Sequence, residues 1–329
     1  MGAMKMVAAV LALAMAAVVA HAEEPAGLML ERRIALPNTA GRIDHMTVDL
    51  RRGRLFVAEL GNGSVDVVDI ASGDVLHRIA GLKEPQGIGY DPVSDTLAVA
   101  NAGNGAVLLY RGELLAAAGR VELADDADNV RLDRGGFVVG YGRGGLAAVD
   151  PSGRVMGRGV LPAHPEGFQI DPAARRAYIN VPNASMIAVV DLDTYKVATT
   201  WPMGEAGGNF PMALDAAHAT LAVVFRSPAR LTLLDTASGR ATARIATCGD
   251  ADDVFFDLKR RRIYVSCGAG SIDVFQADER SLRLLARIPT ASGARTALFV
   301  PELDRLFIAA TAGFLGIGKG AEILVFRPG

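Results

Sequence analysis

An all-β fold, a seven-bladed β-propeller of four-stranded antiparallel blades, is what this 329-residue sequence predicts. Three observations lead there. One strand–turn–strand phrase recurs at a near-constant interval, helical periodicity is lacking after the first residues, and the last unit is short of a strand that the N-terminal end can supply. The phrase is plain in "RGRLFVAELGNGSVDVVDI", Arg52 to Ile70, and again in "RRRIYVSCGAGSIDVFQ", Arg260 to Gln276. Each alternates apolar and polar residues, breaks at a Gly-rich turn and alternates again, the period-two pattern of half-buried strands.

An acidic residue marks the turn after the first strand of each unit. It falls at Asp49, Asp91, Asp133, Asp171, Asp215, Asp257 and Glu302, at intervals of 42, 42, 38, 44, 42 and 45 residues. Four strands on such a period make a propeller blade. In the first unit the strands are expected near Ile43–Val48, Leu55–Glu59, Val65–Ile70 and Val75–Ile79, with turns such as "DIASGDV" supplying the residues that reverse a chain. The last unit offers only three, around Thr296–Val300, Arg305–Ala309 and Glu322–Phe326. "LERRIALPNTAGR" (Leu30–Arg42) echoes "LLARIPTASGAR" (Leu284–Arg295), the fourth strand of unit six and its exit. The N-terminal strand is therefore expected to complete the last blade and hide an exposed sheet edge. Unit three is short, with "DRGGFVVGYGRGG" leaving the length of its hairpin open.

"AYINVPNASMIAVVDLDTYKV" (Ala177–Val197) and "LFVAELGNGSVDVVDIASGDV" (Leu55–Val75) resemble YVTN-type repeats. "HPEGFQID", "NFPMALD" and "ARTALFVP" resemble stretches of bacterial, exported YncE-like propellers. The resemblance spans the chain after its leader and implies a periplasmic propeller. It implies no particular chemistry.

Composition agrees with that reading. Hydrophobic content of 50% supports a large core, while 6% aromatic residues and 37 Gly suit many short strands and tight turns. A formal charge of −2 gives no basic field for nucleic acid or an anionic membrane. Lys5, the apolar run Met6–Ala20, the A-x-A site Ala20-His21-Ala22 and polar Glu23-Glu24 read as a cleaved signal peptide. Residues 1–22 are thus expected to be removed, leaving one propeller domain over 23–329 in the periplasm or outside the cell. No later segment is apolar enough to span a bilayer, so stable membrane insertion is not expected. Cys248 and Cys267, 19 residues apart, are expected to form a disulfide in that oxidising space, with two buried thiols as the alternative.

Loops entering the first strand of each blade open onto one face. Five residues before each acidic anchor stand Asp44, Gln86, Asp128, Glu166, Phe210, Asp252 and Ala297. His45, Asn129 and Asp253 come directly after, and His164, Asn209 and Arg295 lie within two residues before that position. Carboxylates, amides and imidazoles converging from several blades can hold a hard cation or orient a polar ligand. They can also raise one another's pKa and poise a general acid or base. Short polar residues capping loop amides are the bland alternative for each one alone.

Two functional readings fit this pattern. The first is a binding or scaffold module that takes a small molecule or partner protein at this acidic rim, with no cofactor required and a divalent cation as a candidate occupant on Asp44, Asp128, Glu166 and Asp252. The alternative is a metal-assisted lyase or lactonase, with His45, His164 or Glu166 as catalytic candidates. The sequence lacks CxxCH, GxSxG and HExxH, and its single Trp, Trp201, disfavours propellers locked by a recurring Trp. His77 and His218 fall on an outer strand and a turn and are expected in solvent. "GFLGIGKG" (Gly313–Gly320) falls between strands and opens no helix, so it is read as a rim loop. Arg51, Arg52, Arg175, Arg176, Lys259, Arg260, Arg261 and Arg262 cluster in hairpins on the opposite face, where solvated turns are the favoured reading.

Overall fold

The computed structural model describes residues 27–278, 281–311 and 320–329. The leader at residues 1–22 and all of "GFLGIGKG" except Gly320 lie outside them. The described residues form twenty-eight strands, β1 to β28 in chain order, arranged as seven four-stranded antiparallel sheets. The innermost strands are β2 (Met46–Asp49), β6 (Pro85–Asp91), β10 (Ala127–Asp133), β14 (Phe168–Asp171), β18 (Gly207–Asp215), β22 (Ala251–Asp257) and β26 (Ala297–Val300). Each touches the next around the circle, and β26 touches β2. The ring is closed.

Closure is made as the echo at the two ends predicts. Blade seven runs β26, β27 (Arg305–Ala310), β28 (Glu322–Pro328) and then β1 (Leu28–Ala35) at its outer edge. β1 pairs antiparallel with β28 from Leu28↔Pro328 to Ala35↔Glu322, with a bulge between Leu30 and Arg32. Alternation along β1 buries Leu28 and Ile34, and Leu36 is buried just beyond its end. The ion pairs Arg33–Glu322 and Arg305–Glu31 tie its exposed side.

The apolar core is divided among seven seams. Each cluster of buried side chains draws on two successive blades, such as Phe56 and Val67 against Tyr90 and Leu97 between blades one and two. Ile34 and Leu36 sit in the seam where Phe307 and Ile323 of blade seven meet Leu55 and Val57 of blade one. A blade alone could not cover its faces, so the ring is the unit that folds.

The recurring acidic residue has a local cause. Asp49, Asp91, Asp171, Asp215 and Asp257 end the innermost strands and accept hydrogen bonds from turn amides, for example Arg51 N–H (3.1 Å) and Arg52 N–H (3.2 Å) to Asp49. Four residues on, a left-handed residue completes the reversal: Gly53 (φ 64°), Asp95 (54°), Arg175 (53°), Ala219 (48°) and Arg261 (54°). Two of the four residues missing from unit three are accounted for by Arg134 (φ 47°) and Gly135 (φ 72°), which make a two-residue turn between paired Asp133 and Gly136 where other blades use four. In blade seven the left-handed residue is Asp304 (φ 51°), so the equivalent strand end is Val300. Glu302 is an exposed residue of the intervening 3₁₀ turn. The interval of 45 contains that two-residue slip.

Predicted strands agree with the observed ones to within a few residues. The largest shift is β2, which begins at Met46 rather than Ile43. Residues before it still bond the second strand, Asp44 N–H to the Ala58 carbonyl and Ala58 N–H to the His45 carbonyl, but leave the regular ladder as they turn toward the channel. Cys248 and Cys267 form the disulfide, with Cα atoms 5.9 Å apart. It pins the loop leading to β22 against the end of the neighbouring strand.

Candidate functional site: the mouth of the central channel

One small cavity, of about 70 Å³, lies among the inner-strand ends of six blades. Asp44, Gln86, Asp128, Glu166, Phe210 and Asp252, six of the seven register positions, line it. His45, Asn129 and Asp253 line it too. Correcting the blade-seven slip, five residues before Val300 stands Arg295, not Ala297. Arg295 does not line the cavity but binds Asp252 through its Nε (3.0 Å). The inner strands come this close because of glycine: a Cβ on Gly87 would lie 1.6 Å from the Asp128 carbonyl oxygen, and one on Gly167 2.5 Å from that of Phe210.

The two sides of the mouth differ electrostatically. Asp252 is clamped between Arg295 and Arg226, and Arg226 stacks 4.1 Å from the Phe210 ring centroid while also facing Asp250. Asp44 meets Arg42 at 2.6 Å. Across from them, Asp128 meets no Arg or Lys side chain among the described residues, and its cationic neighbours are two imidazoles. His164 Nε2 is 3.7 Å from its Oδ2 and His45 Nε2 is 4.0 Å from its Oδ1. Asp128 and Asn129 are each 2% exposed, yet Asp128 Oδ1 and Asn129 Oδ1 have no hydrogen-bond partner among the described residues. Buried oxygens left this way cost free energy unless something supplies the missing bonds.

Asn209 has a different use. It is fully buried outside the cavity, donating to Asn180 Oδ1 (2.8 Å) and the Met186 carbonyl (3.2 Å). Asn180 in turn donates to the Phe210 carbonyl (2.9 Å), so this pair braces the loop that carries Phe210. His164 stands behind Asp128 and Glu166, its Nδ1–H donating to the Gly142 carbonyl at 2.5 Å.

Arg42, Arg131 and Arg226 escaped the register count. Arg226 ends a second strand, whose following loop opens onto the same face, so loop placement could have found it. Arg131 breaks the apolar expectation within β10, "NVRLD", and lines the channel beneath Asp128.

Burial governs the ionisation of these groups. It raises Glu166 to about 7, with the Asp128 carboxylate adding to the effect. It raises Asp253 to about 7 as well, against the opposing pull of His45. Asp44 is pushed up by burial. For His45 burial acts downward, but Asp44, Asp253 and Asp128 outweigh it and the pKa rises. Burial likewise opposes the rise of His164, which Asp128, the Gly142 carbonyl, Asp126 and Glu166 carry to about 9.

A carboxyl whose folded pKa exceeds its unfolded value stabilises the fold fully below the unfolded value, near ~4, and loses that contribution as pH rises through the folded one. With Asp253 at about 7, the ligand-free protein is expected to melt at a higher temperature at pH 5 than at pH 8. Asp253→Asn should raise melting at pH 8 and change it little at pH 5, since the amide oxygen can still accept the Ala297 N–H now bound at 2.7 Å. Calorimetry of both proteins across that range checks this, and a pH-independent difference would refute it.

The basic hairpins on the other face are largely neutralised. Arg52 bridges Asp49 of its own blade and Asp95 of the next, Arg175 reaches Asp133 of the preceding blade, and Arg260 joins Asp257 to Asp304 of blade seven. Arg52 holds Asp95 down at about 2. These Arg residues staple blades together. His77 and His218 are exposed as expected, His218 beside Asp215. Roomier grooves, of about 510, 500 and 480 Å³, lie away from the channel mouth. In the first, most ionisable groups already pair locally, His218 with Asp215, Arg261 with Asp278 and Asp257 with Arg260, while Arg262 donates to the Gly329 carbonyl.

No protein-family model matches this chain, and no curated protein matches it in sequence. Solved structures do match in shape. A chain of the mitotic checkpoint complex is 14% identical with a TM-score of 0.79, over 97% of this chain and 98% of that one. A chain of Kuenenia stuttgartiensis hydrazine synthase is 15% identical with a TM-score of 0.73, over 86% and 94%. At such identities the likeness is one of fold.

Proposed function

We propose that this chain is an exported, YVTN-type propeller, one domain over residues 23–329, that binds a cation or the cationic group of a ligand at its channel mouth. The observation that carries the reading is the pair of buried oxygens, Asp128 Oδ1 and Asn129 Oδ1, left without partners in a cavity that Asp44 and Glu166 also line. Volume narrows the occupant. About 70 Å³ is far below the ~300 Å³ at which small-molecule pockets begin, and leaves room for only a few water-sized groups. An ion or a protruding ammonium fits, with the rest of any larger ligand or partner protein outside the mouth. The leader pattern and the Cys248–Cys267 disulfide support export. Among the described residues no helix is long and apolar enough to cross a membrane.

Thermal melting of chelator-treated wild type and Asp128→Asn, each with calcium, zinc or putrescine, tests the reading. At least one probe should raise wild-type melting saturably and lose that effect in the variant. No stabilisation of wild type by any of the three would overturn it. A metal-assisted lyase or lactonase remains the second reading, favoured by the closeness of His164 and Glu166 to Asp128.

A further inference from the structure

The channel mouth holds a more specific arrangement, whose interpretation as a metal centre rests on the cation-binding reading. Among the described residues one group of three side chains has metal-ligating atoms mutually close: Asp128, His164 and Glu166, within 4.8 Å of one another. Two come from inner-strand ends of adjacent blades, and His164 from the loop that leads to Glu166. Asp128 and Glu166 line the cavity, so the side of the group away from His164 faces the channel mouth.

An acidic cluster alone would mean little, since such groups are common. Two further features distinguish this one. Asp128, itself buried, keeps its Oδ1 without a partner among the described residues, as Asn129 beside it keeps its own Oδ1, and both residues line the cavity. His164 is also oriented as metal-bound histidines are: its Nδ1–H is spent on the Gly142 carbonyl, and Asp126 Oδ2 lies 3.4 Å from the same nitrogen. That leaves Nε2, the atom facing Asp128 Oδ2 at 3.7 Å, to ligate.

We infer that Asp128, His164 and Glu166 are the three protein ligands of a divalent transition-metal site of the zinc class, whose remaining position opens to the channel mouth. An imidazole with two carboxylates suits zinc, manganese or iron, whereas calcium prefers six or more oxygens and gains nothing from imidazole. Zinc at ~2 Å from each ligand wants donors about 3.3 Å apart, so side-chain adjustments of about an ångström close the site. An open fourth position is the arrangement of metal centres that bind an exogenous ligand.

The test is zinc titration of chelator-treated full-length protein by calorimetry, with metal content after dialysis measured by mass spectrometry. Wild type should bind one zinc per chain. Asp128→Asn, His164→Gln and Glu166→Gln should each weaken zinc at least about 100-fold, beyond the ~10–100-fold typical of losing an outer-shell partner. His218→Ala, which alters an exposed histidine on the other face, should leave binding unchanged. Circular dichroism and melting of each variant without metal establish that it is folded, and a variant that fails is replaced by His164→Ala or Glu166→Ala. Zinc that does not bind, or binds equally to the three variants, overturns the metal centre. Should zinc fail while calcium or putrescine still stabilises wild type but not Asp128→Asn, the cationic mouth stands and this site falls.

Discussion

Removal of Leu28–Leu36 is expected to make the ring aggregate. The segment supplies the outer strand of blade seven, bonded to β28 over its whole length. It also buries Leu28, Ile34 and Leu36, the last two in the seam between blades seven and one. At ~1.5–3 kcal/mol for each side chain, their burial contributes about 6 kcal/mol, comparable with the ~5–15 kcal/mol that separates folded from unfolded domains. The deletion would also expose the ladder groups of β28, a long free edge of the kind that recruits other chains. Size-exclusion chromatography and melting read the outcome. A truncated protein that elutes and melts as the parent does would show that the ring does not depend on this strand.

Gly87→Ala should be nearly as severe, although it adds one methyl group. Its Cβ would fall 1.6 Å from the Asp128 carbonyl oxygen and 2.6 Å from the carbonyl carbon, both backbone atoms of the next blade. No rotamer can relieve such a clash, so blades two and three must separate at the mouth. Overpacking typically costs ~1–3 kcal/mol where side chains can yield; here at least about 3 kcal/mol is expected. Because the displaced residue is Asp128, binding at the mouth should fall along with stability. Gly53→Ala is the informative contrast, since a Cβ there meets nothing within 4 Å and its cost should come only from φ 64°. Equal and small losses for the two, measured by thermal melting, would show that the inner strands do not depend on this close approach.

The repeat made the ring legible because its signals are local. Alternation, turn residues and an aspartate that must accept turn amides all operate within about ten residues, and each recurs around the ring with small variations. Blade seven shows the limit: Val300 stands where the acid should be, so Glu302 puts Ala297 at the register position and leaves Arg295 as its neighbour two residues before. For the mouth, the register offset picked out Asp44, Gln86, Asp128, Glu166, Phe210 and Asp252, which line one cavity. It did not reveal that Asp252 is already held by Arg226 and Arg295 while Asp128 is left without such a partner. Pairing across blades depends on side chains far apart in sequence, and on which loop bends inward. The Arg staples on the opposite face were hidden for the same reason: Arg52 and Asp95 are 43 residues apart, and read singly each is an ordinary turn residue.

Mapping where a charged probe binds tests the cation-binding mouth most directly. Backbone amide resonances of isotope-labelled, chelator-treated protein would be followed during separate titrations with zinc, calcium and putrescine. The largest changes are expected at residues 44–45, 86–87, 128–129, 164–167 and 250–253, around the channel mouth. Changes confined to the opposite hairpins, at residues 50–53, 173–176, 216–219 and 258–261, or no saturable change with any probe, would contradict binding at the mouth.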